Sequence, residues 1–166
     1  MNVKKEYIVD IIFFALAVIW CGVIFSFSAQ KGEESGGLSK KVCYFIAESF
    51  VFDFDEMPKE KQTEIVEGMH LFVRKTAHFC VYAVLGFLVA MGLRRKKPLL
   101  RGALSEGFVV IYAAFDEIHQ SFVSGRNGNI YDVILDSVGG LFGIVFAIVL
   151  WKTIRASREK RRRNNG

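Results

Sequence analysis

The chain consists of long apolar runs separated by polar segments. The first run, residues 8–27, is twenty residues long and holds one charged residue, Asp10, near its start. About 20 apolar residues are needed to cross the roughly 30 Å hydrocarbon layer as a helix, so this run predicts a membrane span. Three further runs, at about 77–93, 99–114 and 133–151, predict three more spans. The pattern therefore predicts an all-α polytopic membrane protein built as a four-helix transmembrane bundle.

A cleavable signal peptide is the alternative interpretation of the first run. Lys4 and Lys5 fit a charged leading segment, and Ser26 and Ser28 are small residues suited to a cleavage site. The apolar stretch, however, exceeds the roughly 7 to 15 residues of a signal-peptide core. We therefore expect a helix that is not cleaved.

The segment between the first two runs, residues 31–75, is too long for a structureless connection. Apolar side chains recur there at helical spacing on two stripes, one formed by Leu38, Val42, Phe45, Ile46 and Phe50 and the other, after Pro58, by Ile65, Met69, Phe72 and Val73. Two helices are therefore expected in an extracytoplasmic segment, either on the membrane surface or capping the bundle. Packing of the stripes against the bundle is the favoured interpretation.

Composition agrees with membrane residence. Of the 166 residues, 52% are hydrophobic, and the mean hydropathy is +0.30. An ordinary soluble domain is less apolar. The length predicts one domain, residues 1–151, followed by a basic tail at 152–166. Three cysteines are too few for the disulfide framework of a small secreted fold.

The basic residues predict the orientation of the bundle. The net charge is +5, and fourteen lysines and arginines lie in segments 1–7, 94–101 and 152–166, against eight on the other side of the four spans. Short basic loops face the cytoplasm, so both termini are expected there, and residues 28–76 and about 115–132 are expected outside. Because the basic blocks adjoin apolar runs, they indicate contact with membrane lipids and not with nucleic acid.

A first candidate site lies at the start of the second run. Lys75, His78 and Tyr82 share one helical face, and Arg74 precedes them. An imidazole here suits proton transfer, metal binding or a hydrogen bond to an anionic headgroup. Taken alone, the favoured interpretation is structural, with Arg74 and Lys75 anchoring the helix at the interface.

A second candidate site lies where the third span ends. Asp116, His119 and Gln120 share a helical face, whereas Glu117 is turned about 100° away. A carboxylate beside an imidazole suits a general base or two ligands of a metal ion. The spacing is not that of a zinc metalloprotease, so the sequence leaves the presence of a metal open.

Arg126 follows Gly125 in the next loop, and its forked guanidinium suits recognition of phosphate or carboxylate. An ion pair of Arg126 with Asp132 or Glu117 is an equally good interpretation.

Asp132 and Asp136 lie one helical turn apart, and like charges at this spacing repel unless cations compensate. Arg74, Lys75, Arg126 and His78 are expected at the same depth, which predicts a charge-balanced internal network. Farther along, Gly139 and Gly143 predict close packing of the last helix.

Ser28 and Gln30 close the first span at the same level. A serine nucleophile with His78 or His119 as its base is a possible arrangement, but no glycine-flanked elbow supports it. Helix termination and hydrogen bonding to the polar cluster is the favoured interpretation. The convergence of polar residues from all four spans at one level indicates a site more strongly than any single motif.

Taken together, these motifs resemble the VanZ-like family of bacterial integral membrane proteins over roughly residues 10–150. The resemblance is carried by Ser26 to Gln30, by Arg74-Lys75-x-Ala77-His78-Phe79-x-x-Tyr82-x-x-Leu85-Gly86, by Asp116-Glu117-x-His119-Gln120-x-Phe122-Val123-x-Gly125-Arg126, and by Asp132 with Asp136. It implies a role in the bacterial cell envelope, because the protein for which the family is named is associated with resistance to the glycopeptide teicoplanin.

Two classes of function follow from the resemblance. The first is an enzyme acting on a lipid-linked envelope precursor, with proton transfer by His119 and Asp116, with His78 and Glu117 as further candidates. Arg126, Arg74 and Lys75 then hold an anionic headgroup, and the binding residues also include Gln120, Tyr82, Asp132, Asp136, Ser28 and Gln30. The second class is a noncatalytic protein of the membrane surface that binds a lipid or a lipoglycopeptide. A small transporter ranks third, because the acidic residues cluster at one end instead of lining a path.

Overall fold

The computed structural model describes residues 3–126 and 128–164. These residues form five α-helices and no strand, which confirms the all-α prediction. The helices are α1 (Val3–Ser28), α2 (Gly32–Phe50), α3 (Lys59–Gly92), α4 (Pro98–Ser121) and α5 (Ile130–Asn164), with a 3-10 turn at Phe54–Glu56 between α2 and α3.

Four of the helices are long and apolar enough to cross a membrane. They are α1, α3, α4 and α5, in agreement with the predicted four-helix bundle. α3 lies at the centre and packs against α1, α4 and α5, most extensively against α5. Large apolar side chains on the outer faces of α1 and α5, such as Ile11, Val18 and Phe142, are exposed, as expected of faces that contact lipid.

The predicted second span, about 77–93, is part of a longer helix. The stripe after Pro58 and the run from residue 77 are one continuous helix of 34 residues, Lys59–Gly92. No proline interrupts the chain between them, and a helix of this length extends about 51 Å, well beyond the hydrocarbon layer. Similarly, the basic tail continues α5 as helix to Asn164, and α4 continues to Ser121, so the polar cluster after residue 114 lies on helical turns.

α2 packs against the N-terminal half of α3. The contact is a small cluster formed by Cys43, Ala47, Val66 and Phe54. Burial raises the pKa of the Cys43 thiol. The prediction that the Leu38 stripe packs on the bundle was wrong, because Leu38 and Phe45 are 50% and 69% exposed. The small side chains on the opposite face of α2 make the contact instead, since they allow the two helices to approach closely.

α5 approaches α3 through glycines, as the small-residue pattern predicted. A Cβ atom at Gly143 would collide with the carbonyl oxygen of Ala83, and one at Gly139 would collide with that of Phe79. Gly86 of α3 meets Gly140 of α5 in the same way. The two backbones are thus in direct contact, which fixes the register of α3 against α5.

The charge in the first span is neutralised at the end of the bundle opposite the site described below. Asp10 pairs with Arg94 at 3.0 Å and with Arg95 at 2.5 Å, and Arg94 also pairs with Glu6 at 3.1 Å. Arg101 is buried and donates from Nε to the carbonyl oxygen of Ala90 at 2.7 Å, which satisfies the last turn of α3. These contacts join α1 to the α3–α4 turn.

Candidate functional site

Polar residues from all four spans meet at one end of the bundle, which we call the site end. It comprises the last turn of α1 with Ser28, the turns of α3 around His78, the last turns of α4 with Asp116, and the first turns of α5 with Asp132.

In the described part of the chain, an ion pair and a contact between an imidazole and a carboxylate join α3 to α5 at the site end. Lys75 pairs with Asp132, and His78 Nδ1 lies 3.7 Å from Asp136 Oδ1. The spacings, three residues on α3 and four on α5, each advance about one helical turn, so the pairs lie one above the other. Asp136 is completely buried. The prediction that Asp132 and Asp136 need cationic partners is confirmed for Asp132, which pairs with Lys75, whereas the partner of Asp136 is an imidazole.

Asp116 is held by two neutral donors. Tyr82 donates from its hydroxyl to Asp116 Oδ2 at 3.2 Å, and Gln120 Nε2 donates to the same oxygen at 3.0 Å. His119 lies with its ring 4.6 Å from that of Phe25 on α1, and its Nε2 is buried without a hydrogen-bond partner in the described part of the chain. Proton transfer between His119 and Asp116 remains a prediction.

Glu117 accepts a hydrogen bond from the turn that leads into α5. Its Oε2 accepts a hydrogen bond from the backbone N–H of Asn129 at 2.8 Å, directly before α5 begins. Gly128 passes so close that a Cβ atom there would collide with the Glu117 carbonyl oxygen. Glu117 therefore faces away from Asp116, as the helical spacing predicted, and positions the start of α5.

Arg126 is buried and reaches back to α1. Gly125 has a φ of 76°, a conformation that favours glycine, and it turns the chain so that Arg126 points inward. Arg126 Nη2 donates to the carbonyl oxygen of Phe27 at 3.2 Å. Between residues 3 and 126 and from 128 to 164, neither Asp132 nor Glu117 forms the alternative ion pair with it. Burial lowers the pKa of Arg126 and the charge of Arg74 lowers it further, whereas Asp116 and Glu117 raise it.

These side chains surround a pocket of about 240 Å³, which we call the site pocket. Its polar lining is Ser28, Gln30, Ser39, Arg74, His78, Asp116 and Arg126. Of the four residues predicted to form one cluster, His78, Asp116 and Arg126 meet in this pocket, whereas His119 is not part of its lining. Tyr82, Gln120 and Asp136 lie behind the pocket wall and support it through Asp116 and His78.

The apolar half of the pocket was not predicted. It is formed by Ile24, Phe27, Leu38, Ala77 and Val81. Helical spacing holds a signal for these residues, because Ile24 and Phe27 share a face with Ser28, and Ala77 and Val81 share a face with Arg74 and His78. Apolar residues beside a membrane span are ordinary, so their type alone does not indicate a pocket.

The lining determines what the pocket can hold. Two guanidinium groups face one carboxylate, so with a neutral imidazole the lining carries one excess positive charge. Among the described residues, no group of three or more His, Cys, Asp or Glu side chains is placed to hold a metal ion. The chemistry of this pocket suits one anionic group together with an apolar chain.

Comparison with known proteins identifies one family. A family model described as VanZ/LLP1 matches residues 13–152, most of the chain. No curated protein and no solved structure shows significant similarity to it.

Proposed function

The chain belongs to the VanZ/LLP1 family, and we propose that it binds an anionic membrane amphiphile in the site pocket. The headgroup lies on Arg74 and Arg126, and the acyl chain lies along the apolar half of the pocket. We place the site end on the extracytoplasmic side of a bacterial cell membrane, with both termini in the cytoplasm. The bound molecule is then a lipid or a lipid-linked precursor of the cell envelope.

The proposal depends above all on the hydrogen bonding of the Arg126 guanidinium. Its Nη2 bonds Phe27, but Nε and Nη1 are buried without hydrogen-bond partners in residues 3–126 and 128–164. A buried charged donor without a partner is costly, so a ligand that supplies oxygen acceptors gains free energy by binding there. Phosphate and carboxylate match the fork of a guanidinium, and Arg74 supplies a second cation to the same pocket.

The apolar half of the pocket supports an amphiphile over a free anion. Ile24 and Phe27 lie on the last turns of the membrane-spanning helix α1, so they lie where acyl chains meet headgroups. A lipid in the adjacent leaflet therefore presents its headgroup to the arginines while its chain stays among apolar side chains.

The distribution of basic residues supports the orientation. The segments at the end opposite the site carry fourteen of the 22 lysines and arginines. Short basic segments remain on the cytoplasmic side during insertion, which supports an extracytoplasmic site end.

A second candidate is noncatalytic binding of a lipoglycopeptide, which links the protein to teicoplanin resistance. Leu38 lines the pocket and belongs to the exposed stripe that continues through Val42 and Phe45 on α2. This stripe extends the apolar surface of the pocket along α2. An acylated ligand that approaches from outside the membrane therefore contacts the stripe before it reaches the pocket.

Native mass spectrometry of the purified protein with dioleoyl phosphatidylglycerol and, separately, dioleoyl phosphatidylcholine tests the first candidate. We expect preference for the anionic lipid, and we expect Arg126→Gln to bind it about 10- to 100-fold more weakly, the loss typical of a charge-assisted hydrogen bond. Arg161→Gln removes an equal charge from an exposed position of α5 and is the matched control. Equal affinities in the wild type and in both variants would refute the site.

Antibiotic susceptibility of strains that carry the same variants at matched abundance tests the second candidate. We expect Arg126→Gln to lose any protection against teicoplanin that the wild type gives, and Arg161→Gln to keep it. Unchanged susceptibility on removal of the wild-type protein contradicts the resistance role without affecting lipid binding.

A further inference from the structure

Ser28 differs from the other serines of the membrane-spanning helices at this end. Ser26, two residues earlier, donates to the carbonyl oxygen of Gly22 at 2.8 Å, and Ser121 donates to Ile118 at 2.6 Å. The Ser28 hydroxyl is buried, with the residue only 3% exposed, and it has no hydrogen-bond partner among the described residues. It lines the site pocket. A buried hydroxyl normally finds a local partner, so this one is available to a ligand or a base.

We propose that Ser28 is the nucleophile of an acyl-transfer site, with His78 as its general base and Asp136 as the residue that orients His78. The inference rests on the proposed function, because the bound amphiphile is its substrate. It adds a reaction to binding: cleavage of an acyl ester in an anionic amphiphile.

The position of His78 suits a general base. Its Nδ1 is buried and faces Asp136 Oδ1 at 3.7 Å, and the same ring lines the pocket. With Nδ1 directed at the carboxylate, Nε2 is the nitrogen left for a group in the pocket. In unrelated folds, a carboxylate on one nitrogen and a serine hydroxyl on the other activate the serine. Here Ser28 and His78 line the same pocket, and no hydrogen bond joins them in the described structure. Separations in the absence of substrate are commonly longer than in the reacting complex.

Asp136 is suited to orient the His78 ring. It is completely buried, and neither of its oxygens accepts a hydrogen bond from another described residue. Its stabilisation therefore depends on the imidazole, which gains a positive charge as it takes the serine proton. An acid in such a position favours the imidazolium and fixes the ring tautomer.

Arg126 supplies donors beside the nucleophile. Its hydrogen bond to the Phe27 carbonyl brings the guanidinium to the residue that precedes Ser28. The free Nε and Nη1 donors can stabilise the negative oxygen that forms when a carbonyl is attacked. Arg74, which lines the same pocket, then holds the anionic headgroup.

The reaction has two balanced halves. His78 Nε2 takes the proton from the Ser28 hydroxyl as Oγ bonds to the ester carbonyl carbon, and the carbon–oxygen bond of the ester then breaks. The departing alcohol oxygen receives the proton from His78 and leaves an acyl group on Ser28. Water repeats the sequence on this acyl-serine, giving a carboxylic acid and free Ser28. The sum is ester plus water giving alcohol plus acid.

The test uses the full-length protein in detergent and a fluorophosphonate probe, which reacts with activated serines, followed by peptide mass spectrometry. We expect a covalent adduct on Ser28 that is absent in Ser28→Ala and at least about 100-fold slower to form in His78→Gln. Ser26→Ala is the matched control, because this exposed serine has its own backbone partner, and it should label like the wild type. Asp136→Asn keeps the shape of the side chain and should slow labelling.

Binding of dioleoyl phosphatidylglycerol, measured on the same samples, separates the two proposals. If wild-type protein binds the lipid but Ser28 stays unlabelled, catalysis is refuted and binding stands. If neither lipid binding nor labelling occurs, both proposals fail. Labelling of Ser28 at the wild-type rate in a His78→Gln protein that still binds lipid refutes the role of His78. Hydrolysis of 4-nitrophenyl decanoate that requires Ser28 and His78, but not Ser26, supports the complete assignment.

Discussion

Arg126 donates a hydrogen bond to the carbonyl oxygen of Phe27 at 3.2 Å, across 99 positions of sequence. This contact ties the loop after α4 to the last turn of α1. Because Phe27 and Arg126 both line the site pocket, the bond also determines the shape of the pocket wall. The same side chain thus carries a structural contact and the open donors on which the proposed ligand depends.

A lysine at position 126 should preserve the binding of anionic lipid only at a pH below the pKa of that lysine. Burial lowers the pKa of Arg126, and Arg74 lowers it further. The same surroundings act on a lysine, whose ordinary pKa of about 10.4 is already lower than that of arginine. A cation is neutral above its pKa, so Arg126→Lys should lose affinity for phosphatidylglycerol as the pH rises from 7 to 10, whereas the wild type keeps it.

Lipid titrations at both pH values, with Arg161→Lys as control, measure this difference. Parallel pH profiles for the wild type and Arg126→Lys would contradict charged binding at Arg126.

The Lys75–Asp132 pair should be energetically coupled more strongly than a surface pair. Its side chains are 34% and 23% exposed, against 48% and 61% for Lys40 and Glu67. A double-mutant cycle with Lys75→Met and Asp132→Asn should give a coupling free energy of about 1 to 3 kcal/mol. The matching cycle with Lys40→Met and Glu67→Gln should give about 0.2 to 1 kcal/mol. Thermal unfolding in detergent gives both values, and equal coupling in the two cycles would contradict the expectation.

Close packing of α3 and α5 should make Gly143 intolerant of substitution. Gly143→Ala places a Cβ atom on the Ala83 carbonyl oxygen, so we expect a loss of about 1 to 3 kcal/mol, seen as a lower melting temperature in detergent. Gly107→Ala on α4 is the control, because nothing lies within 4 Å of the added atom. The control should be neutral or slightly stabilising, since alanine favours helix. Equal tolerance at both positions would show that the helices can separate freely.

Cysteine labelling in intact cells tests the proposed orientation. Gly125→Cys should react with a membrane-impermeant maleimide, whereas Asn164→Cys should react only after the cells are opened. The wild type, which carries Cys80 on an exposed face of α3, is the background control. Reaction of position 164 from outside intact cells would contradict the orientation.

The four spans and the polar cluster could be predicted from the sequence because both depend on local properties. Hydropathy over about 20 residues determines a span, and helical spacing determines that Lys75 and His78 share a face. Charge balance at one depth, a condition that the membrane makes strict, predicted a cationic partner for Asp132 but did not identify it as Lys75.

Other features depend on contacts between distant segments, which one sequence does not reveal. The continuity of α3 was missed because its polar turns around Arg74 resemble a boundary between two helices. The burial of Cys43 and Ala47, with exposure of Leu38, follows from how closely α2 approaches α3. The Ser28 hydroxyl has no hydrogen-bond partner among the described residues. Helical spacing cannot show this, because it depends on which side chains of other helices lie near Ser28.

The ion pair between Lys75 of α3 and Asp132 of α5 also bears on the order in which the helices enter the membrane. A carboxylate in the middle of an inserting helix costs about 2.5 to 3.5 kcal/mol, less towards the interface, and α5 carries Asp132 and Asp136 in its first turns. Lys75 is synthesised first, so the positively charged partner of Asp132 precedes α5 into the membrane. We therefore expect α3 to favour the insertion of α5, because Lys75 offsets the charge of Asp132.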